Sequence, residues 1–115
     1  METMEIVSPD DRETVEPFDD AFVTQVIAGE QMSVQHFRAE GGLAPEHSHE
    51  HEEMGYLVEG SLTLVVEGVE HTVRTGEVYC VPSDMTHAIG NTGADPAVGV
   101  MIFSPPRPFH WTASD

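Results

Sequence analysis

The sequence of 115 residues predicts an all-β fold, a single-domain antiparallel jelly-roll β-barrel, and three observations predict it. Short runs rich in β-branched and aromatic residues follow one another closely. Turn signals separate them, and no stretch carries the apolar period of a helix. A chain of this length has room for one core and not for two, so roughly seven to nine strands would use nearly all of it.

Residues 1–20 intersperse acids with Pro9 and Pro17 and show no sustained period. They read as an acidic N-terminal arm or edge segment. The barrel is expected over residues 21–105. Its strand candidates are AFVTQVIA from Ala21, QMSVQHFRA from Gln31, EEMGYLVEG from Glu52, SLTLVVEG from Ser61, VEHTV from Val69, EVYCVP from Glu77, THAIG from Thr86 and AVGVMIF from Ala97. Between them lie Gly41-Gly42, Glu59-Gly60, Glu67-Gly68, Thr75-Gly76 and the loop NTGADP, at the tight spacing of antiparallel hairpins. Leu62, Leu64 and Val66 alternate with Thr63, Val65 and Glu67, so one face of that strand is expected to meet a core. Residues 106–115 form a C-terminal tail, in which His110 and Trp111 are expected to pack on or cap one end of the barrel.

Charge excludes some partners. The chain has 21 Asp and Glu against four arginines and no lysine, a net charge of -17. Nucleic acid and anionic membranes are poor partners for it, because favourable counterion release needs a basic patch. Disorder is not the explanation, since 39% of residues are hydrophobic and sit in strand-like runs. A salty cytoplasm is: at molar salt the Debye length falls to about 3 Å, screening the self-repulsion while solubility remains. A halophilic source is therefore expected. No apolar run is long enough to span a membrane, and the N-terminus is acidic where a secretory signal is basic, so a cytoplasmic location is expected. The single cysteine, Cys80, cannot form an intrachain disulfide and is expected to be a small buried hydrophobe.

The chemistry concentrates in EHSHEHEEMGY. His47, His49, His51 and Glu53 share one parity, so on an extended strand their side chains would project to one side, with the imidazoles of His47 and His49 a few ångströms apart. A solvated His- and Glu-rich loop is the bland alternative for this stretch taken alone. Further on, Gly76, Pro82, His87 and Asn91 place another imidazole on a later strand.

With these residues the chain resembles the cupin superfamily. That family's first motif is Gly, five residues, His-x-His, three or four residues, Glu, six residues, Gly, and Gly41, His47, His49, Glu53 and Gly60 fit it. Its second is Gly, five residues, Pro-x-Gly, two residues, His, three residues, Asn, which Gly76, Pro82, His87 and Asn91 match. Asp84 stands where a turn glycine is usual, and Asp tolerates the positive φ of such a turn. At a usage of roughly 5% per position, nine matches do not arise by chance. The resemblance covers residues 30–105. It implies one divalent transition metal ion (Mn, Fe, Ni, Co or Zn) held by His47, His49, Glu53 and His87. A six-coordinate ion would keep two positions open, as in catalytic rather than structural sites.

Within the family, the HSHxHE run, GYxxEG and FSPPR are similar to small cupins of pectin and alginate breakdown that linearise unsaturated uronates. The resemblance implies a pocket completed by the pattern Asp-x-Phe-x-x-x-Arg, of which Phe103 and Arg107 match the last two members and Met101 replaces the first. Methionine neither takes a proton nor hydrogen-bonds a hydroxyl strongly. That subfamily also often has Gln at the position of Glu53. Arg107 then has two readings: an anchor that holds a proline-stiffened tail on an acidic surface, or a bidentate grip on a substrate carboxylate. His51 is expected to orient a neighbour or to contribute a polar group at the substrate mouth. His71 reads as an exposed strand residue, and His36 as one that lines the barrel.

Three function classes stay open. The first is a metal-dependent isomerase- or lyase-type enzyme on a small carboxylated sugar or keto acid, with Arg107, Phe103 and His51 as candidate catalytic residues. The second is an iron-dependent dioxygenase. The third is a non-catalytic metallocupin that binds a small molecule. A homodimer is expected, because sheet edges call for pairing and small cupins resemble one another in forming dimers.

Overall fold

The alternation of apolar residues becomes ten strands in the computed structural model, which describes residues 4–107. In chain order they are β1 (Thr14–Phe18), β2 (Ala21–Ala28), β3 (Ser33–Ala39), β4 (Gly42–Leu43), β5 (Glu52–Glu59), β6 (Ser61–Val66), β7 (Val69–Arg74), β8 (Val78–Val81), β9 (His87–Asn91) and β10 (Ala97–Ser104). A 3-10 turn over Pro9–Asp11, capped by Ser8, precedes them. Eight of the ten strands fall on the eight runs read from the sequence. The additional two are the short β4 and β1, which lies inside residues 1–20. His110 and Trp111, expected to pack on or cap one end of the barrel, lie outside the described residues.

All strand pairs are antiparallel, in a six-stranded sheet of order β1-β2-β3-β10-β5-β8 and a four-stranded sheet of order β4-β9-β6-β7. The closed barrel is thus corrected: the described strands form two sheets, consistent with a jelly roll, and not one hydrogen-bonded ring. Within the small sheet β4 pairs with β9 for two residues, Pro45 offers no backbone N–H to the ladder, and pairing with the same strand resumes at His47.

Register stacks the inward residues in rows. One row of the large sheet runs Val23, Phe37, Gly99, Leu57, and the next runs Gln25, Gln35, Met101, Gly55, Tyr79. A third joins Ser33, Phe103, Glu53 and Val81. Leu62, Leu64 and Val73 of the small sheet join Phe37, Leu57, Met101 and Phe103 in one core. The positive φ of Gly60 (+85) and the 2.3 Å that would separate a Cβ there from the Pro96 carbonyl oxygen fix glycine at the β5–β6 turn.

The same period of two corrects two expectations. Tyr79 and Val81 face inward on β8, so Cys80 faces out and is exposed. His36 lies between the buried Gln35 and Phe37 and points to the outer face, away from the interior. His71 is exposed, as expected. No helix among the described residues is long and apolar enough to cross a membrane.

Arg12 pairs with Glu5 and Arg38 with Glu40, both on the surface, which leaves the acidic excess to be screened by salt. The thermal midpoint is expected to rise as KCl approaches molar concentration. A flat or falling midpoint in a salt titration would count against a halophilic origin.

Candidate metal centre

His47 and His49 reach the interior from the segment between β4 and β5, not from one strand face. His47 exchanges both backbone hydrogen bonds with His87 of β9, each 2.9 Å. The turn before β9 holds the same segment: the Asp84 N–H donates to the His49 carbonyl at 2.8 Å, and the Ser83 hydroxyl to the Glu50 carbonyl at 2.6 Å. Asp84 adopts φ 65 there, the left-handed conformation expected where the motif usually has glycine.

The cluster is tight. Ring centroids lie 5.3 Å apart for His47 and His49, 4.5 Å for His47 and His87, and 4.9 Å for His49 and His87. One nitrogen from each ring fits within 4.8 Å of the others, a spacing that can hold a metal ion. Each Nδ1 faces a backbone carbonyl two residues away: Pro45 at 3.3 Å, His51 at 2.9 Å and Met85 at 2.8 Å. A carbonyl can only accept, so Nδ1 carries the proton in each neutral ring and Nε2 keeps a lone pair. The buried Nε2 atoms of His49 and His87 have no hydrogen-bond partner, and each lies 3.4 Å from Glu53 Oε1. Lone pairs therefore face a carboxylate, an arrangement that a shared cation relieves. The donor set of neutral imidazoles and one carboxylate fits a divalent transition metal.

Electrostatics agrees with this. Burial lowers the pKa of His47, and neighbouring His87, His49 and Arg107 lower it further against the Pro45 hydrogen bond. Burial would lower His87 too, but the bond that a protonated ring gives to Glu53, with that to Met85, outweighs it and raises the pKa. A proton on His87 thus competes with a metal for the site. Glu53 is 2% exposed. Its burial pushes the carboxyl up, yet His49 and His87, when protonated so that Nε2 donates, and the Tyr79 hydroxyl prevail and hold the pKa at about 2, against an ordinary 4.5.

A carboxyl whose pKa is depressed on folding adds stability that is complete above its unfolded value and is lost as pH falls through the folded one. In metal-free protein, Glu53→Gln is expected to cost about 3 kcal/mol near pH 6. The deficit should shrink between pH 4.5 and about 2. Denaturant unfolding in chelator across that range measures it, and a deficit independent of pH would reject the stated cause.

Sequence reasoning missed Tyr79, whose hydroxyl donates to Glu53 Oε2 at 2.5 Å. Gly55 makes room for it: a Cβ on Gly55 would stand 2.1 Å from the Tyr79 ring. The legible signal was a glycine inside a strand pattern, which marks close approach.

Phe103 is 1% exposed and sits beside the cluster, its ring centroid 5.8 Å from that of His49 and 6.2 Å from that of His51. The backbone carbonyl of His51 is what meets His49, while its partly exposed ring stands edge-on to His49 at 5.5 Å. Burial lowers the His51 pKa, as do Arg107 and His49. Arg107 is 2% exposed. Its guanidinium carbon lies 5.0 Å from the Phe103 centroid, so the anchor on an acidic surface is corrected to a buried position. Its backbone is fixed as well, the N–H donating to Ser33 Oγ at 2.8 Å and the carbonyl accepting from Gln25 Nε2 at 3.2 Å. Arg107, Phe103, Met101, His47 and Glu53 all line one cavity of about 310 Å³ between the sheets.

Comparison with known proteins follows this geometry. The chain is 30% identical over 73 residues to the pectin degradation protein KdgF of Dickeya dadantii, a match covering 63% of this chain and 64% of that protein. The chain therefore matches a little under two thirds of that relative's length. Among solved structures, KdgF from Halomonas sp. superposes with a TM-score of 0.80 at 20% identity, over 91% of this chain and 96% of that one. The polyketide cyclase RemF from Streptomyces resistomycificus superposes with a TM-score of 0.78 at 22% identity, over 92% and 82%. Both likenesses concern the fold. The Cupin_2 family, described as the cupin domain, matches residues 33–103, the span that carries every residue of the cluster, and the chain belongs to that family.

Proposed function

We propose that this chain is a metal-dependent enzyme, isomerase- or lyase-like, that acts on a small carboxylated sugar or keto acid. In this reading His47, His49, His87 and Glu53 hold one divalent transition metal ion. The observation that carries it is the convergence of imidazole lone pairs on Glu53 Oε1 with no donor between them. Bound there, the ion would supply Lewis-acid polarisation of a substrate oxygen. KdgF, named for pectin degradation, supports a carboxylated substrate.

The chain's own residues supply the rest. Arg107 presents a fixed cation to the cavity beside the cluster, suited to a carboxylate. The face of Phe103 holds the guanidinium in place. Tyr79 keeps Glu53 ionised and oriented, and the His51 carbonyl fixes the tautomer of His49.

Arg107→Lys tests this reading. It keeps the charge and the backbone contacts to Ser33 and Gln25 but loses the planar fork, and is expected to weaken binding of a carboxylated ligand by about 1–3 kcal/mol with metal content unchanged. Titration calorimetry on metal-loaded protein measures it. Unchanged affinity with a lowered thermal midpoint would make Arg107 a tail anchor.

A further inference from the structure

Among the polar side chains that line the cavity, those shielded from solvent stand at one end. His47, Glu53 and Arg107 stand at the end where Phe103 pairs with Ser33. The other polar side chains on its lining, Asp19 and Arg38, are exposed. Arg38 lies at the opposite end of the same strand pair, where it meets Val98. The wall between is Phe37, Leu62, Ile89, Met101 and Phe103. None of these offers a hydrogen-bond donor, and the thioether of Met101 accepts only weakly.

From this asymmetry we infer that the substrate is a carboxylate, best a 2-oxo acid, whose body is aryl or alkyl and not polyhydroxylated. The inference rests on the metal-dependent reading of the site and narrows its substrate class. A 2-oxo acid carries its oxygens at one end, where the cluster and Arg107 stand. Its body then meets the apolar wall between that end and the exposed Asp19 and Arg38. A sugar acid of the same length would bury hydroxyls against Met101, Leu62 and Ile89. Each such hydroxyl gives up water without gaining a partner. Met101 is central to this, because its row places it between Gln35 and Gly55 on the inner face of the large sheet.

The test uses two ligands with one head group. Phenylpyruvate and 2-keto-3-deoxygluconate are both 2-oxo acids, the first with an aromatic body and the second with a hydroxylated one. The whole chain is loaded with Zn, its metal content is measured, and each ligand is titrated by calorimetry. Phenylpyruvate is expected to bind at least about 100-fold tighter, the penalty an apolar pocket imposes on misplaced hydroxyls. Met101→Asp should narrow that ratio to less than about tenfold by weakening phenylpyruvate and strengthening the sugar acid, while the isosteric Met101→Leu leaves it intact. Equal affinities, a reversed preference, or binding of neither ligand by metal-loaded protein would overturn the inference. An equal or reversed ratio would leave the metal-dependent reading standing. Failure to take up metal at all would overturn that reading and the inference with it.

Discussion

His49→Ala is expected to strip the protein of most of its metal. Loss of groups that merely orient a ligand commonly costs 10–100-fold in affinity, so loss of a ligand should cost more than about 100-fold. His49 is the choice because its side chain is buried, at 5% exposure, with Nε2 3.4 Å from Glu53 Oε1. Its ring also meets His47 at a tilt and His87 and Phe103 edge-on. The backbone bonds that hold its segment run through His47, Glu50 and the His49 carbonyl, and these survive the substitution. Elemental analysis after dialysis, with circular dichroism to check the fold, gives the answer. Unchanged stoichiometry in a folded variant would remove His49 from the ligand set.

The second large effect falls on stability. Phe103→Ala should cost about 3–5 kcal/mol, the range for deleting a buried aromatic ring from a packed core. Phe103 is nearly inaccessible and belongs to the cluster that includes Leu57, Leu62 and Val81. It is also the surface against which Arg107 rests. Loss of the ring would enlarge the cavity and remove the face on which the guanidinium rests, so metal-loaded protein should lose carboxylate affinity as well. Urea unfolding in chelator isolates the stability effect. A loss below about 1 kcal/mol would mean that the walls collapse into the space, and that Phe103 matters to the site more than to the fold.

The strands were legible because β3, β5 and β10 carry a clear period of two, and residues such as Leu62 and Leu64 have no other place to go than the core. Closure was not legible, since whether two sheet edges bond depends on shape that no local pattern encodes. The metal cluster was legible for a partly different reason from the one that operates. Parity on a single strand predicted that His47, His49 and Glu53 would converge. In the structure β5 begins at Glu52, and convergence comes from pairing His47 with His87 of the small sheet, while Glu53 reaches the cluster from the large one.

Cys80 shows the limit of composition. Its flanking Tyr79 and Val81 point inward, and alternation then leaves the thiol outside, beside exposed Val78 and Met54. Tyr79 and the ladder from Ser33 and Gln25 to Arg107 were hidden for want of any sequence spacing that links them. Only register brings them together.

That ladder has a kinetic consequence. Gln25 and Ser33 hold the backbone of Arg107 across 82 and 74 residues of chain, and β3 pairs along its whole length with β10. Almost nothing of the pocket can form until the two ends of the domain have met. Folds dominated by such remote pairings refold in about milliseconds to seconds. A metal ion present at the start of refolding would find His47 and His49 close in sequence, but His87 only after closure. The ion should therefore slow unfolding strongly while leaving the refolding rate nearly unchanged.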